Sequence, residues 1–234
     1  MEGWRYAKIR RGDIGRRNGT AAASHGGAGV PGDEKGASQH RSGYGISALP
    51  AGSRKKTILW RRSILNANVS KLLNEQINKE FYSAYLYLDF ANYYAAVGLD
   101  GFENWYRVQA QEERDHAMLF YQYLQNNGEG VTFEAVAKPE WERGDHMTPL
   151  KKALEHEKLV TASIDAIYAA AYEAKDFRAM QMLDWFIKEQ GEEEKNAADL
   201  ITKMELFGGD SKGLYMLNNE LKARVYTAPS MTME

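Results

Sequence analysis

The chain has 234 residues, 44% of them hydrophobic, which is enough for one domain with a packed core. It contains no cysteine, so disulfides, thiolate metal sites and cysteine nucleophiles are excluded. The net charge of −2 conceals a division: residues 1–65 hold 13 of the 30 Lys and Arg but 4 of the 32 Asp and Glu, a net of +9, which leaves −11 for the remainder. No run of about 18 apolar residues is present, so no membrane span is expected. A reducing cytoplasm suits the cysteine-free composition and is the expected location.

Residues 1–65 carry 12 of the 21 glycines. The stretch "NGTAAASHGGAGVPGDEKGASQHRSGYG" has no period of 2 or 3.6 and little to bury, so it is expected to be a disordered leader. A basic tail that binds nucleic acid and a transit peptide are alternatives that the Arg-rich, acid-poor composition also permits. A third alternative is that the leader is an artefact of start-site choice. Trp60-Arg61-Arg62 can be encoded TGG-AGG-AGG, a purine-rich ribosome-binding sequence, with Leu65 as a TTG start.

From residue 66 the texture becomes helical. "NVSKLLNEQINKEFYSAYLYLDFANYYAAVG" predicts a first helix that stops at Gly98, and "DGFENWYRVQAQEERDHAMLFYQYLQNNG" a second that stops at Gly128. After a long connection, Thr148-Pro149 supplies an N-cap and a first-turn proline for a third helix running to about Lys175. Asp176 caps a fourth that continues to Phe207, before Gly208-Gly209. A short fifth helix, "SKGLYMLNNELKARV", closes a domain of residues 66–225, and residues 226–234 are expected to be a flexible tail. Two short links and one long one predict an all-α fold: an up-down four-helix bundle with one long crossover between its second and third helices, plus the fifth helix.

Steps of three and four define an inward stripe on each helix. The stripes are Val69, Leu73, Gln76, Glu80, Ala84, Tyr87 and Ala91; then Tyr106, Ala110, Glu113, Ala117, Phe120 and Leu124, with His116 beside Glu113. The third helix gives Leu150, Leu154, Glu157, Val160, Ile164, Tyr168 and Ala171. The fourth gives Leu183, Phe186, Gln190, Glu193, Ala197, Leu200, Met204 and Phe207. Each mostly apolar stripe has one carboxylate near its middle. An unpaired buried carboxylate costs several kcal/mol, and four together repel. Glu80, Glu113, Glu157 and Glu193 sum to −4, which two divalent cations offset. Glu113-x-x-His116 sets an imidazole one turn from a carboxylate, and Gln190-x-x-Glu193 repeats the spacing without the second imidazole. This oxygen-rich donor set suits iron better than copper, with Zn²⁺ as a competitor. The bland alternative is a metal-free helical scaffold, which leaves the inward carboxylates unexplained.

"LNEQINKEFYSAYLYL", "AQEERDHAMLFYQYL", "EHEKLVT", "LDWFIKEQGEEEK" and "GLYMLNNEL" resemble, in order, the five helices of bacterial non-haem ferritins. The resemblance covers about residues 66–225. It implies iron storage in a hollow homo-oligomeric shell of 24 subunits, with Fe²⁺ oxidised by O₂ or peroxide at a di-iron ferroxidase centre and Fe³⁺ deposited as ferric oxyhydroxide. It implies that Glu80, Glu113 and His116 hold the first iron, and that Glu113 bridges to a second held by Glu157 and Glu193 near Gln190. Tyr87 matches a tyrosine beside the centre, as a hydrogen-bond partner or one-electron donor, with a plain core role as the alternative. Glu112, Glu189 and Glu192 match a third, more exposed iron site, the alternative being that "EQGEEEK" is a solvated acidic run. Neither membrane nor nucleic acid is an expected partner of this domain.

The resemblance also separates this chain from related bundles. A rubrerythrin-like peroxidase requires a cysteine-ligated iron, and a haem-bearing bacterioferritin requires a Met where Arg114 stands, so no haem is expected. A mini-ferritin lacks the fifth helix. A non-storage di-iron oxidase or peroxidase is the remaining functional alternative. Gly191 departs from good helix chemistry in the middle of "EQGEEE". Close packing of another segment against it is the expected reason.

Overall fold

A computed structural model describes residues 65–231 and contains five helices: α1 (Ala67–Ala96), α2 (Asp100–Asn126), α3 (Thr148–Glu173), α4 (Phe177–Phe207) and α5 (Ser211–Leu221). The first four form the expected bundle, with α5 across one end, and no strand occurs among the described residues. None of these helices is long and apolar enough to cross a membrane. The leader expected to be disordered lies outside the described residues.

The chain turns are built by one repeated device. After α1, Gly98 takes φ +77°, its N–H bonds the Ala95 carbonyl (3.2 Å), and Leu99 N–H bonds that of Tyr94 (2.9 Å). After α2, Gly128 takes φ +80° with the equivalent bonds to Gln125 and Leu124. This is the Schellman arrangement that a C′ glycine permits. After α3 the same two bonds form around Lys175 at φ 54°, a conformation that L side chains adopt only at a cost. Asp176 then caps α4, its carboxylate accepting from Ala179 N–H (3.2 Å).

The start of α3 differs from expectation. Thr148 is the first helical residue, not the cap. Asp145 does the capping: one carboxylate oxygen accepts from Met147 N–H, Thr148 N–H and the Thr148 hydroxyl at 3.0–3.1 Å. The fifth helix is also shorter than expected, ending at Leu221. It docks through Asn218, whose side-chain Oδ1 accepts from Gly101 N–H (2.8 Å), an N–H that α2 leaves unpaired. A Cβ on Gly101 would lie 1.7 Å from the Asn218 backbone carbonyl oxygen, so only glycine allows this approach.

The long link between α2 and α3 is pinned along α1. Asn74 exchanges two hydrogen bonds with Thr132 (2.9 and 3.0 Å). Further along, Asp89 accepts from Trp141 Nε1 (2.7 Å), and the Tyr94 hydroxyl donates to the His146 carbonyl (2.7 Å). From Asn74 to Tyr94, α1 spans about 30 Å, so the crossover runs most of the bundle's length.

The interior consists of two apolar clusters with a polar layer between them. One contains Val69, Leu73, Ile77, Phe120, Ile164 and Phe186. The other contains Tyr87, Phe90, Tyr106, Leu150, Leu200 and Met204. Between them along the four helices come Glu80, then Glu113 and His116, then His156 and Glu157, then Gln190 and Glu193, all buried. The expected stripes hold with four exceptions. On α3, Leu154 and Tyr168 are half-buried, and Ala153 and Ile167 take the inward positions. On α4, Ala197 is half-buried and Phe207, in the last turn of the helix, is 51% exposed.

Gly191 is exposed, and a Cβ there meets nothing within 4 Å, so close packing does not explain it. Gly191→Ala should therefore stabilise the protein by about 1 kcal/mol. Calorimetry should show a melting temperature raised by about 2–4 °C. An unchanged or lower midpoint would mean that the glycine has a role in assembly or metal handling.

Candidate metal centre

Four helices each bring one carboxylate to the polar layer, and the layer is buried. Glu80, Glu113 and Glu157 are 1–2% exposed, Glu193 7% and His116 2%. Glu80, Glu113 and His116 each offer a ligand atom within 4.8 Å of the others, the one such group of His and acidic residues among those described. His116 Nδ1 lies 3.5 Å from Glu113 Oε2, the contact that the i,i+3 spacing predicts.

Neutral amides hold the carboxylates in place. Gln76 Nε2 donates to Glu80 Oε1 (2.8 Å), and Gln76 in turn accepts from the Ser163 hydroxyl (2.6 Å). Gln109 Nε2 donates to both Glu113 Oε1 (3.0 Å) and Glu193 Oε2 (2.8 Å) and so joins α2 to α4. Gln190 Nε2 donates to Glu157 Oε2 (3.2 Å). The Tyr87 hydroxyl donates to Glu157 Oε1, which puts this tyrosine in direct contact with the centre. Gln109 was not expected from the sequence. Its signal is present there: Gln-x-x-x-Glu occurs at Gln76/Glu80 and again at Gln109/Glu113, one turn apart on the same face. His156 was also missed. It is buried beside Glu157, with its Nε2 2.8 Å from Ser83 Oγ.

Electrostatics decide the protonation of this layer. Burial, then the neighbouring Glu113 charge, raises Glu80 and Glu193 to about 8. Burial and Glu193 hold Glu157 well above the usual carboxylate range. Burial also opposes ionisation of Glu113, but the hydrogen bond and charge of His116 outweigh it, and Glu113 lies below its ordinary value. Burial alone would depress His116, yet Glu113, Glu80 and Glu193 raise it to about 10. His156, with burial dominant, falls to about 4 and stays neutral. Without metal the layer is thus one buried Glu113–His116 ion pair among three protonated carboxyls. One atom shows what this arrangement lacks: Glu80 Oε2 is buried and receives no hydrogen bond among the described residues. A cation between Glu80, Glu113 and His116 would satisfy it, so the donors fit a divalent metal.

The three residues expected at a third site are not gathered in the same way. Glu112 is half-buried and ion-paired with Arg224 (2.5 Å). Glu189 Oε1 lies 3.9 Å from His116 Nε2, and Glu192 is exposed and paired with Lys188 (3.3 Å). Arg224 had no local sequence signal, since it lies more than a hundred residues from its partner.

A ferritin-like domain model matches residues 70–207, which span all of this layer. The chain belongs to the ferritin family. It is 35% identical over 158 residues to a probable bacterial non-heme ferritin-like protein of Haemophilus influenzae, covering 68% of this chain and 96% of that one. It is also 35% identical to the bacterial non-heme ferritin of Campylobacter jejuni, covering 68% and 95%. Among solved structures, an open-pore ferritin from Archaeoglobus fulgidus is 40% identical with a TM-score of 0.67, over 69% of this chain and 99% of that one. A closed form of that ferritin, engineered by site-directed mutagenesis, gives 40% and 0.68.

The sign of the pH dependence follows from these shifts. Glu80, Glu193 and His116 bind protons more tightly in the folded protein, so the stability they give is present at low pH and lost as pH rises through 8 to 10. Metal ligands must be deprotonated, so two Zn²⁺ ions should release about four protons per chain near pH 7, from Glu80, Glu157, Glu193 and His116. Titration calorimetry in buffers of different ionisation enthalpy measures this number. The metal-free protein should melt at lower temperature at pH 9 than at pH 7, and Zn²⁺ should reverse the loss. Binding without proton release would contradict the protonation pattern.

Proposed function

We propose that this ferritin stores iron, oxidising Fe²⁺ at the buried layer and depositing it as ferric oxyhydroxide. The observation that carries this reading is the convergence of Glu80, Glu113 and His116 around the unsatisfied Glu80 Oε2, with Glu157 and Glu193 in the same buried layer. The relatives' names point the same way, since the Campylobacter jejuni relative is a bacterial non-heme ferritin.

Iron is the substrate. Glu80, Glu113 and His116 take one Fe²⁺, while Glu113, Glu157 and Glu193 take the second, with Gln190 and Tyr87 holding Glu157 in position. The two ions together offset the four carboxylates. Carboxylate-dominated ligation favours Fe³⁺ over Fe²⁺, because the extra positive charge is better neutralised in a water-poor site. Each Fe²⁺ gives one electron; O₂ takes two electrons and two protons to become H₂O₂, and peroxide can serve as oxidant in its turn. Hydrolysis of Fe³⁺ to the oxyhydroxide releases protons. The missing second imidazole leaves the second ion an oxygen-rich shell, from which Fe³⁺ can depart towards the mineral. A cleft lined by Trp105, Gln109, Glu157, Glu193 and Asn196 adjoins this side of the layer.

Storage requires an enclosed volume, hence assembly of many copies, of which 24 is the expected number. Large apolar side chains on the described surface suit such burial: Tyr85, Leu88, Tyr172, Phe177 and Tyr215 are all more than half exposed. Phe207, expected in the core, joins them.

The test is Fe²⁺ oxidation followed by stopped-flow absorbance, with electron microscopy of the loaded particles. The unmodified protein should show a fast oxidation phase and dense cores inside hollow particles. Glu113→Ala should lose the fast phase, by about 10²-fold or more in rate, because it removes the shared ligand. An unchanged fast phase in that variant defeats the assignment. Fast oxidation without cores would favour a non-storage di-iron oxidase.

A further inference from the structure

The segment after α5 does not leave the bundle. Asn104 Nδ2 donates to the Arg224 carbonyl (2.9 Å), fixing the backbone against α2. The Tyr226 hydroxyl donates to Asp115, and Ser230 Oγ accepts from Trp185 Nε1 (3.1 Å). Trp185 packs edge-on against His116, ring centres 5.6 Å apart. Residues 222–231, whose last six were expected to be part of a flexible tail, thus lie as a strap over the α2 and α4 faces that carry the candidate ligands.

The Arg224 side chain is the centre of this strap. Its guanidinium stacks 4.1 Å over the Trp105 ring and donates to the Trp105 carbonyl (3.2 Å). Nη2 also donates to Gln109 Oε1 (2.9 Å) and to Glu112 Oε2 (2.5 Å). Both members of the Arg224–Glu112 pair are largely shielded, at 16% and 19% side-chain exposure. The contact to Gln109 has a consequence for the metal centre. A guanidinium only donates, so it fixes the Gln109 carbonyl outward and the NH₂ inward, where the NH₂ meets Glu113 and Glu193. Without Arg224 the amide is free to turn and present its oxygen to two carboxylates.

We propose that Arg224 is a built-in counter-cation: it occupies the outer carboxylate Glu112 in place of a metal ion and is the positioning residue for the Gln109 bridge between Glu113 and Glu193. Resting on the reading of this layer as a metal centre, the inference makes loading of the outer site a displacement. A cation arriving at Glu112 must break the pair with Arg224, and the same event releases Gln109. The outer site is therefore weak while the strap is docked, and its filling is sensed by the inner pair of ligands.

Titration calorimetry of the intact metal-free protein with Zn²⁺, a redox-inert probe, tests this. The unmodified chain should bind two ions tightly and a third weakly. In Arg224→Gln the third ion should bind about tenfold more tightly, and Arg224→Lys should fall between, since a single ammonium cannot span Gln109 and Glu112 as the fork does. Adding Glu112→Gln to Arg224→Gln should cancel the gain, an outcome that general loosening of the fold would not produce. Two tight ions with a third of unchanged affinity in both Arg224 variants would overturn the inference while leaving the metal centre intact. Absence of tight Zn²⁺ binding to the unmodified chain would overturn the metal-centre reading and the inference with it.

Discussion

Buried negative charge governs this molecule. Four carboxylates sit at one level of a helical bundle between two apolar clusters, shielded from the solvent that would stabilise their charge. Burial and mutual repulsion push Glu80, Glu157 and Glu193 towards the protonated form, while the neighbouring His116 favours the charge on Glu113. The resting layer is electrically neutral, and it stays neutral when two divalent cations replace the protons. Under the proposed function, that equivalence lets the same residues serve both the folded metal-free chain and a loaded centre. It also accounts for the amides. Gln76, Gln109 and Gln190 offer N–H donors to the carboxylates without adding charge, so they orient the ligands in either state.

The fold follows from the need to carry that layer. Carboxylates from four helices converge only if the helices run side by side in register, and the register is set outside the layer. Schellman turns at Gly98 and Gly128 fix two helix ends, and the crossover pinned from Asn74 to Tyr94 fixes the relation of the hairpins. Aromatic packing of Phe120 on Phe186 below, and of Tyr87 on Tyr106 above, holds the helices on either side of the polar residues. The centre is thus built on rigid elements, as a site that must place several ligands within tenths of an ångström requires.

Most of this was legible in the sequence. Helical spacing is a strong signal over runs of 26–31 residues, and the inward stripes of α1 and α2 were read without error. The α3 stripe was blurred because a 3.6-residue period leaves two adjacent lines of residues to choose from, and Leu154 looked more apolar than the correct Ala153. Thr148 looked like a cap because its side chain suits one, but Asp145 outcompetes it from three residues upstream. Phe207 is apolar and in phase, yet phase alone does not reveal which residues of a last turn have a neighbour to pack against. The strap was illegible for a different reason. The Arg224–Glu112 pair joins residues separated by most of the domain, and nothing local to either marks the partner.

At the heart of the proposed function, the four buried carboxylates form a two-metal centre. Anomalous diffraction from crystals soaked in Zn²⁺ or anaerobic Fe²⁺ measures this directly. Two peaks per chain within coordination distance of Glu113, one reaching Glu80 and His116 and the other Glu157 and Glu193, are the predicted result. Peaks confined to the protein surface, with the buried carboxyls still bonded only to their glutamine partners, would contradict it.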